Sequence, residues 1–321
     1  MKQTLVIGST VADVIVNVPS IPSTGEDVNI VSQRIQLGGC AYNVAHILTL
    51  TKTAHTLCSP VGSGVYGDFV AAKLKSLGIP CFVRLDVPNG CCYCVVETGG
   101  ERSFMSYHGA EYVFSKQWMN SIDFTEVDSV YICGLEIEEP TGKEIVDFLE
   151  EHPDLNIYFA PGPRIQYLNK DLLTRIFHLH PIVHLNRQEV CSFTSISDPE
   201  SASQYLHNIT KNNVIVTLGE QGALVSEQET IYTVPGFSTK VIDTIGAGDS
   251  HIGSIIAYLK QGIPLKEAVF RANRLSAAVV GTKGANLSKA DYQKACDCFV
   301  SMAQYGSAVL SDIDKGFGTL R

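Results

Sequence analysis

The chain reads as an α/β protein with a mostly parallel central sheet and a small antiparallel β flap beside it. Three observations predict this. Short β-branched runs alternate with helical patterns along most of the sequence. The strand-like runs are almost wholly apolar, as in strands covered on both faces. Two segments, 13–39 and 91–110, break the rhythm with strand–turn–strand patterns that have no helix between them.

Taken in order, "TLVIGS" (4–9) reads as a buried strand and "AYNVAHILTL" (41–50) as a helix, with Ala41, Val44, Ala45 and Leu48 at helical spacing. "TAHTLCSPVG" is a strand leaving into a loop. "DFVAAKLKSLG" is a helix stopped by Gly78, and "PCFVRLD" is a strand. Further buried strands are expected at 129–134, 156–161, 182–186 and 213–219. A helix over 251–260 puts Ile252, Ile255, Ile256 and Leu259 on one face, and a second shows Leu265, Ala268, Val269, Ala272 and Leu275. Gly99-Gly100 marks a hairpin turn in the second irregular segment. The two irregular segments together would form a flap over the carboxyl ends of the parallel strands, where open α/β sheets bind ligands.

With 321 residues, the chain is long enough for one large domain or a domain with a small appendage. A net charge of −9 leaves no basic footprint for nucleic acid or an anionic membrane surface. The N-terminal "MKQTLVIGSTVADV" is interrupted by Gly8 and Asp13, which argues against a signal peptide, and no apolar run reaches the roughly 18 residues of a membrane span. A cytoplasmic protein is expected. Its ten cysteines then read as reduced, small apolar residues. In "GCCYCVVET", Cys92 and Cys94 share one strand face and Cys91 takes the other, which is poor geometry for a metal.

"GSGVYG" (62–67) matches the G-x-G-x-x-G of dinucleotide sites, follows a strand, precedes a helix and has Asp86 about twenty residues on. Pro60 in the turn, and the absence of a second mononucleotide-binding half, weigh against that reading. The alternative is a tight turn feeding a packed helix.

"DTIGAGDS" (243–250) carries more chemistry. Its glycines can bare several backbone N–H groups, and the helix that follows directs its unsatisfied N–H groups and positive dipole end at the same spot. That is an anion hole suited to a phosphoryl group, built from Gly246, Ala247 and Gly248. Asp249 beside it can cap the helix or accept a proton from an attacking hydroxyl. No G-x-x-x-x-G-K-[ST] element is present, so this is not a P-loop.

"DTIGAGDS" together with "GGCAYNVA" (38–45) resembles the two signatures of the ribokinase-like, or phosphofructokinase-B type, carbohydrate kinases. The resemblance runs over about residues 4 to 295 and includes "LNRQE" (185–189), "VTLGEQGAL" (216–224) and "ANRLSAAVVGTKGA" (272–285). "GERSFMSY" and "GPRI" bring it nearest to a bacterial subgroup of sugar kinases.

The resemblance implies a three-layer α/β/α ribokinase-like domain over 1–300, lid segments at about 13–37 and 91–110, and a C-terminal tail at 301–321. It implies an ATP- and Mg²⁺-dependent kinase acting on a primary hydroxyl of a sugar. Asp249 matches the general base and Gly246 to Gly248 the anion hole. Asp13, Gly39 and Asn43 match residues that hold sugar hydroxyls, and Glu136 an acid that contacts sugar in some members. Asn186 and Glu189 match the N-x-x-E element that organises Mg²⁺ through water. Thr217, Gly219 and Gly222 match the loop along the nucleotide phosphates, and Asn273 lies where relatives contact adenine. Asp243 is expected to be structural, or near a monovalent cation such as K⁺. A homodimer through the lid is expected, since its apolar faces would otherwise be wet.

Plainer roles stand beside these. Asn43 could be a polar residue on an exposed helix side, Glu189 an early-helix acid, and Glu136 one solvated acid among the three of "LEIEEP". Cys40 departs from ribokinases, which usually follow Gly-Gly with lysine. Arg102 and Arg164 are placed to meet an anionic group on a substrate or to sit in surface loops. A nucleoside kinase on the same scaffold, a silent sugar or nucleotide sensor, and the dinucleotide enzyme of "GSGVYG" remain alternatives.

Overall fold

The computed structural model describes residues 2–304, with side-chain positions described through 297. The chain begins with β1 (Gln3–Ile7), β2 (Val11–Val18), β3 (Ser32–Gly38) and helix α1 (Cys40–Leu50). Then come β4 (His55–Cys58), β5 (Pro60–Ser63), α2 (Gly64–Ser76), β6 (Val83–Pro88), β7 (Cys91–Glu97) and β8 (Arg102–Tyr107). The middle of the chain holds β9 (Val127–Cys133), α3 (Gly134–Glu138), α4 (Gly142–Glu151), β10 (Asn156–Ala160), α5 (Lys170–His178), β11 (Ile182–Asn186), α6 (Arg187–Thr194) and α7 (Pro199–Thr210). It ends with β12 (Val214–Thr217), β13 (Ala223–Glu227), β14 (Thr230–Val234), α8 (Ala247–Lys260), α9 (Leu265–Val280) and α10 (Lys289–Gln304).

Eight strands form the central sheet in the order β14-β13-β12-β11-β10-β9-β1-β4. The pairings from β4 to β12 are all parallel, and β13 and β14 close one edge antiparallel. Strand alternation sorts the core into two layers. Leu5, Ile7, Ile132 and Phe159 face α4 to α7, whereas Val6, Tyr131, Cys133 and Tyr158 face α1, α2, α8 and α9. This is the expected three-layer α/β/α arrangement. β1 lies between β4 and β9, so the strand order reverses beside it, and a crevice opens at the carboxyl ends there.

The flap is a separate sheet, β3-β2-β7-β8. Its outer pairings are antiparallel, but its central pair β2–β7 is parallel, because the two hairpins are joined side by side. The hairpin turn falls where Gly99-Gly100 predicts, with Gly100 at φ +90°. Cys91 and Cys94 are both buried within this sheet, as small apolar residues would be.

β5 pairs only with β6, outside the main sheet. Two of the "GSGVYG" glycines are there for packing: a Cβ on Gly62 would lie 2.4 Å from the Val87 carbonyl, and one on Gly67 only 2.0 Å from that of Gly62, while Gly64 takes φ +77° with open space around it. Asp86 is exposed on β6. The tight-turn reading therefore holds, and the dinucleotide reading loses its strand.

The final helix runs to Gln304, past the boundary expected at 300. The remainder of the expected tail, 305–321, lies outside the described residues. Among the described residues, no helix is long and apolar enough to cross a membrane.

Candidate active site

Helix α8 starts at Ala247, four residues earlier than the apolar pattern predicts, because its first turn is the glycine-rich stretch itself. Gly246 is the N-cap at φ +74°, and a Cβ there would stand 2.5 Å from the Ala285 methyl. The first i→i−4 bond of the helix is Ser250 N–H to the Gly246 carbonyl at 2.8 Å, and Ala247 N–H, expected in the hole, donates to the Thr244 carbonyl at 3.3 Å, so the amides of Gly248 and Asp249 are the ones placed for an anion. Gly248 has helical φ, and nothing lies within 4 Å of a Cβ placed on it. The hole thus depends on the conformation of Gly246 and on open space at Gly248.

Asp249 follows in the same turn. Asn43 Nδ2 of α1 donates to its Oδ2 at 2.8 Å, and the Cys40 thiol is a second donor. Burial nevertheless pushes its carboxyl up to about 6, against those two bonds and with added repulsion from Glu136. Asp13, on β2, is pushed up to about 7 by burial and by the nearby charge of Asp249. Asn43, a buried residue, is drawn into the site rather than left on the exposed side of its helix.

The Gly38-Gly39 turn explains how the lid strand and α1 reach this point together. A Cβ on Gly38 would sit 1.9 Å from Asp13 Oδ2, and one on Gly39, at φ +96°, 2.5 Å from the Ser9 carbonyl. Only bare backbone lets Asp13 lie over the turn.

Glu136 on α3 is buried. Its Oε1 accepts from the Ser9 N–H at 2.7 Å and its Oε2 from the Cys133 thiol. It bridges the ends of β1 and β9 across the crevice. The other two acids of "LEIEEP" turn elsewhere: Glu138 takes Arg164 in a bidentate pair, and Glu139 pairs with His108 at 2.5 Å. Arg164 also lies over the Tyr167 ring. It is therefore held by the protein and not offered to a substrate anion. Cys40, noted in the sequence only as a departure, proves to be part of the cluster. Its thiol contacts both Asp249 and Cys133, and it is pushed up to about 11, so it acts as a neutral donor.

On the other side of the anion hole lies a cleft of about 690 Å³ lined by Asn186, Thr217, Gly219, Gly222, Ala247, Gly248 and Asn273, all expected there. Gly219 at φ +64° and Gly222 at φ +101° shape the loop after β12, and a Cβ on Gly222 would meet the Val234 carbonyl at 2.0 Å. Phe237, Val241, Ala277 and Val280 add an apolar wall that the sequence did not single out. Phe237 and Val241 lie in a loop with no motif of its own, and Ala277 and Val280 lie within "ANRLSAAVVGTKGA", which gave no role to those two positions.

Asn186 and Glu189 form a capping box on α6: Asn186 Oδ1 accepts from the Glu189 N–H, and Glu189 Oε2 from the Asn186 N–H, both at 2.8 Å. This leaves the second oxygen of Glu189 outside the cap. Burial, offset by the cap bond, raises its carboxyl, and Asp249 adds to the rise. Among the described residues no cluster of three or more His, Cys, Asp or Glu side chains could by itself hold a metal ion.

Asn273 lines the cleft, but its amide is spent. Nδ2 donates to the carbonyls of Val234 and Pro235 at 3.1 and 3.0 Å, and Oδ1 meets His251 Nε2 at 2.8 Å. His251 must therefore carry its proton on Nε2, so its bare Nδ1 accepts from His184 Nε2 at 2.8 Å. Burial keeps both rings neutral, His251 pushed down to about 4 and His184 well below its usual range. This chain ties β11 to α8 and α9 beneath the cleft. Asn273 builds its wall instead of presenting a free amide.

Arg102 reaches from the first position of β8 to Asp243, with Nη1 donating to Oδ1 at 2.5 Å. Asp243 is 4% exposed, and the same carboxylate accepts from the N–H groups of Ile245 and Gly284, each at 3.0 Å.

Comparison with known proteins bears on the family and the fold. The model of the pfkB family carbohydrate kinases matches residues 1–291. A protein described as the uncharacterized sugar kinase YegV of Escherichia coli K12 is 32% identical over 288 residues, 88% of this chain and 90% of its own. A deoxyribokinase of Salmonella typhi is 26% identical, covering 88% of this chain and 94% of that one. Among solved structures, the ribokinase of Thermotoga maritima superposes with a TM-score of 0.79 at 22% identity, over 92% of this chain and all of its own. At that identity the likeness speaks for the fold.

Proposed function

Because the chain belongs to the pfkB family of carbohydrate kinases and is an ATP-dependent phosphotransferase, we propose that it phosphorylates a primary hydroxyl of a free sugar with Asp249 as general base. One observation carries this reading: Asp249 and the bared amides of α8 sit at the junction between the 690 Å³ cleft and the cluster of Asp13, Asn43, Cys40 and Glu136. A cleft of that size fits a nucleotide, and the polar cluster fits a polyol.

In this mechanism ATP lies in the cleft, its purine against Phe237 and Val280, its phosphates along the Gly219–Gly222 loop. Asp13 and Asn43 orient the sugar. Glu136, already engaged at both oxygens, acts through its remaining lone pairs or by fixing Ser9 and Cys133. Asn43 Nδ2 holds Asp249 Oδ2, which directs the other oxygen at the hydroxyl. Asp249 takes the hydroxyl proton as the sugar oxygen bonds to the γ-phosphorus and the bond to the β,γ-bridging oxygen breaks. The amides at the start of α8 face the charge that develops on the transferring group. Glu189, through the oxygen left outside its cap and a water, would hold Mg²⁺, which would supply neutralisation of the triphosphate charge. The lid over Asp13 excludes water that would otherwise compete as acceptor.

An ADP-release assay with Mg·ATP and a panel of pentoses, hexoses, deoxyribose and nucleosides tests the reading. Turnover on a free sugar is expected, and Asp249→Asn should lower it by about 10²- to 10⁴-fold while nucleotide binding persists. Near-normal turnover in that variant would remove Asp249 from the role. A hit confined to nucleosides would move the chain to the nucleoside kinases, one of which, from Burkholderia thailandensis and bound to inosine, shares the fold with a TM-score of 0.72.

A further inference from the structure

Asp243 opens the anion-hole loop, and the sequence marks it as a candidate neighbour of a monovalent cation. Its surroundings do not suit one. A K⁺ ion needs several oxygen lone pairs turned toward it, yet Oδ1 of Asp243 is filled by two donors and Oδ2 already accepts a third. Oδ1 takes Ile245 N–H and the Arg102 guanidinium, and Oδ2 takes Gly284 N–H. A second cation beside Oδ1 would meet the guanidinium's like charge at short range.

A carboxylate this deeply buried must be compensated, and the compensation here comes from the lid. Arg102 stands on β8, paired with Val96 across the hairpin. Its side chain is 20% exposed, and its Nη2 also reaches the Ile242 carbonyl at 3.3 Å. Asp243 thereby joins three pieces of chain: the turn that leads into α8, the 284 loop that packs on Gly246, and the lid.

We infer that Arg102 is a tethered cation. It takes at Asp243 the place of a monovalent ion from solution, so this chain's anion hole is ordered by closure of its own lid and not by K⁺. The inference rests on the phosphoryl-transfer reading for the purpose of the hole, but not for the pairing itself. Arg102 is a positioning residue in this account, acting on the reaction through the Asp243–Gly248 loop. When the lid lifts, Asp243 loses its counter-charge and the loop loosens, so the hole is complete only when the site is covered.

The test compares wild type, Arg102→Ala and Arg102→Lys in KCl and in tetramethylammonium chloride at equal ionic strength. The thermal midpoint is measured without nucleotide, and Mg·ADP affinity by calorimetry. Wild type should show the same midpoint and affinity in both salts. Arg102→Ala should bind Mg·ADP about tenfold more weakly in tetramethylammonium, the scale of one lost charge-assisted pair. KCl or millimolar guanidinium should restore most of that loss and raise its midpoint. A K⁺-specific gain in wild type would overturn the inference, and so would an Arg102→Ala protein that behaves as wild type in tetramethylammonium. Should Arg102→Ala not fold, Arg102→Lys carries the test, since a point charge without the guanidinium fork should leave a partial defect in Mg·ADP affinity that is the same in both salts, its tethered charge still shutting K⁺ out; an affinity equal to wild type would overturn the inference. A wild type that binds no Mg·ADP in either salt would sink the kinase reading instead, and the midpoints would still decide the pairing.

Discussion

Asp249 and Asp13 set the pH behaviour of the site. Asp249, at about 6, ionises first, and its charge is the second cause, after burial, that holds Asp13 near 7. The base is active only when ionised, so kcat/KM should rise with pH through about 6 to 7 and level off above, in a pH–rate profile. The stability sign runs the other way. Both folded-state values lie above the ordinary 3.8, so the folded chain keeps protons that the unfolded chain has released, and stability falls as pH rises from about 4 through 7. Asp13→Asn removes one buried charge. Its thermal midpoint should exceed that of wild type at pH 8, and the gap should shrink as pH falls toward 4. A midpoint below wild type at pH 8 would show that Asp13 has a stabilising partner in the folded state. At this scale the sequence was legible where a residue type is tied to its chemistry. An acid after two glycines at a helix start and an asparagine after Gly-Gly could be marked as site residues, but the bond between Asn43 and Asp249 could not. Cys40 could not be read so, because a thiol's role depends on the Asp249 and Cys133 side chains around it. Nor could His251, whose partners His184 and Asn273 lie 67 and 22 residues away in the chain.

The first turn of α8 divides its work between two glycines, and only the backbone shows how. Periodicity placed the helix at 251 because apolar spacing is silent over Gly-Ala-Gly-Asp, whereas the hydrogen-bonded helix begins at Ala247. The sequence treats the two glycines alike, as residues that bare backbone N–H groups. The structure puts the conformational constraint on Gly246, at φ +74° and packed against Ala285. Gly246→Ala should therefore lower stability by about 1–3 kcal/mol, the usual cost of a strained backbone position, seen as a lower denaturant midpoint. Gly248→Ala should fold normally, and with helical φ the alanine should even favour the helix. Its methyl group would instead project into the open space of the nucleotide cleft, so a raised KM for ATP with an unchanged denaturant midpoint is expected. A Gly248→Ala protein that melts early would contradict the assignment of strain to Gly246 alone.

For the molecule as a whole, the parallel core was legible because strands buried on both faces have an unmistakable apolar run, and the carboxyl-end site follows from their order. The minor strands were not. β5 and β6 look like core strands in composition but pair only with each other, since strand pairing is decided by long-range contacts that local pattern does not carry. The flap shows the same limit: two hairpins could be read, but not that β2 and β7 would lie parallel between them. Its outer face bears on assembly. On β8, Met105 and Tyr107 are 58% and 64% exposed on one face, which Tyr93 and Ile35 share across the sheet, and Phe104 is 55% exposed on the other. A second copy meeting this face would bury that apolar area and cover the free edge of β8, which otherwise offers unpaired strand groups to solvent. We expect a homodimer joined through the lid. Sedimentation velocity should find the wild type at twice the chain mass, and Phe104→Glu with Met105→Lys should give monomers at the same concentration. Those two side chains point to opposite faces of their strand, so each substitution alone should weaken the dimer unequally, the larger effect marking the face that the partner covers. Wild-type monomers at micromolar concentration would remove the lid as an interface and leave its apolar residues to be explained by substrate closure alone.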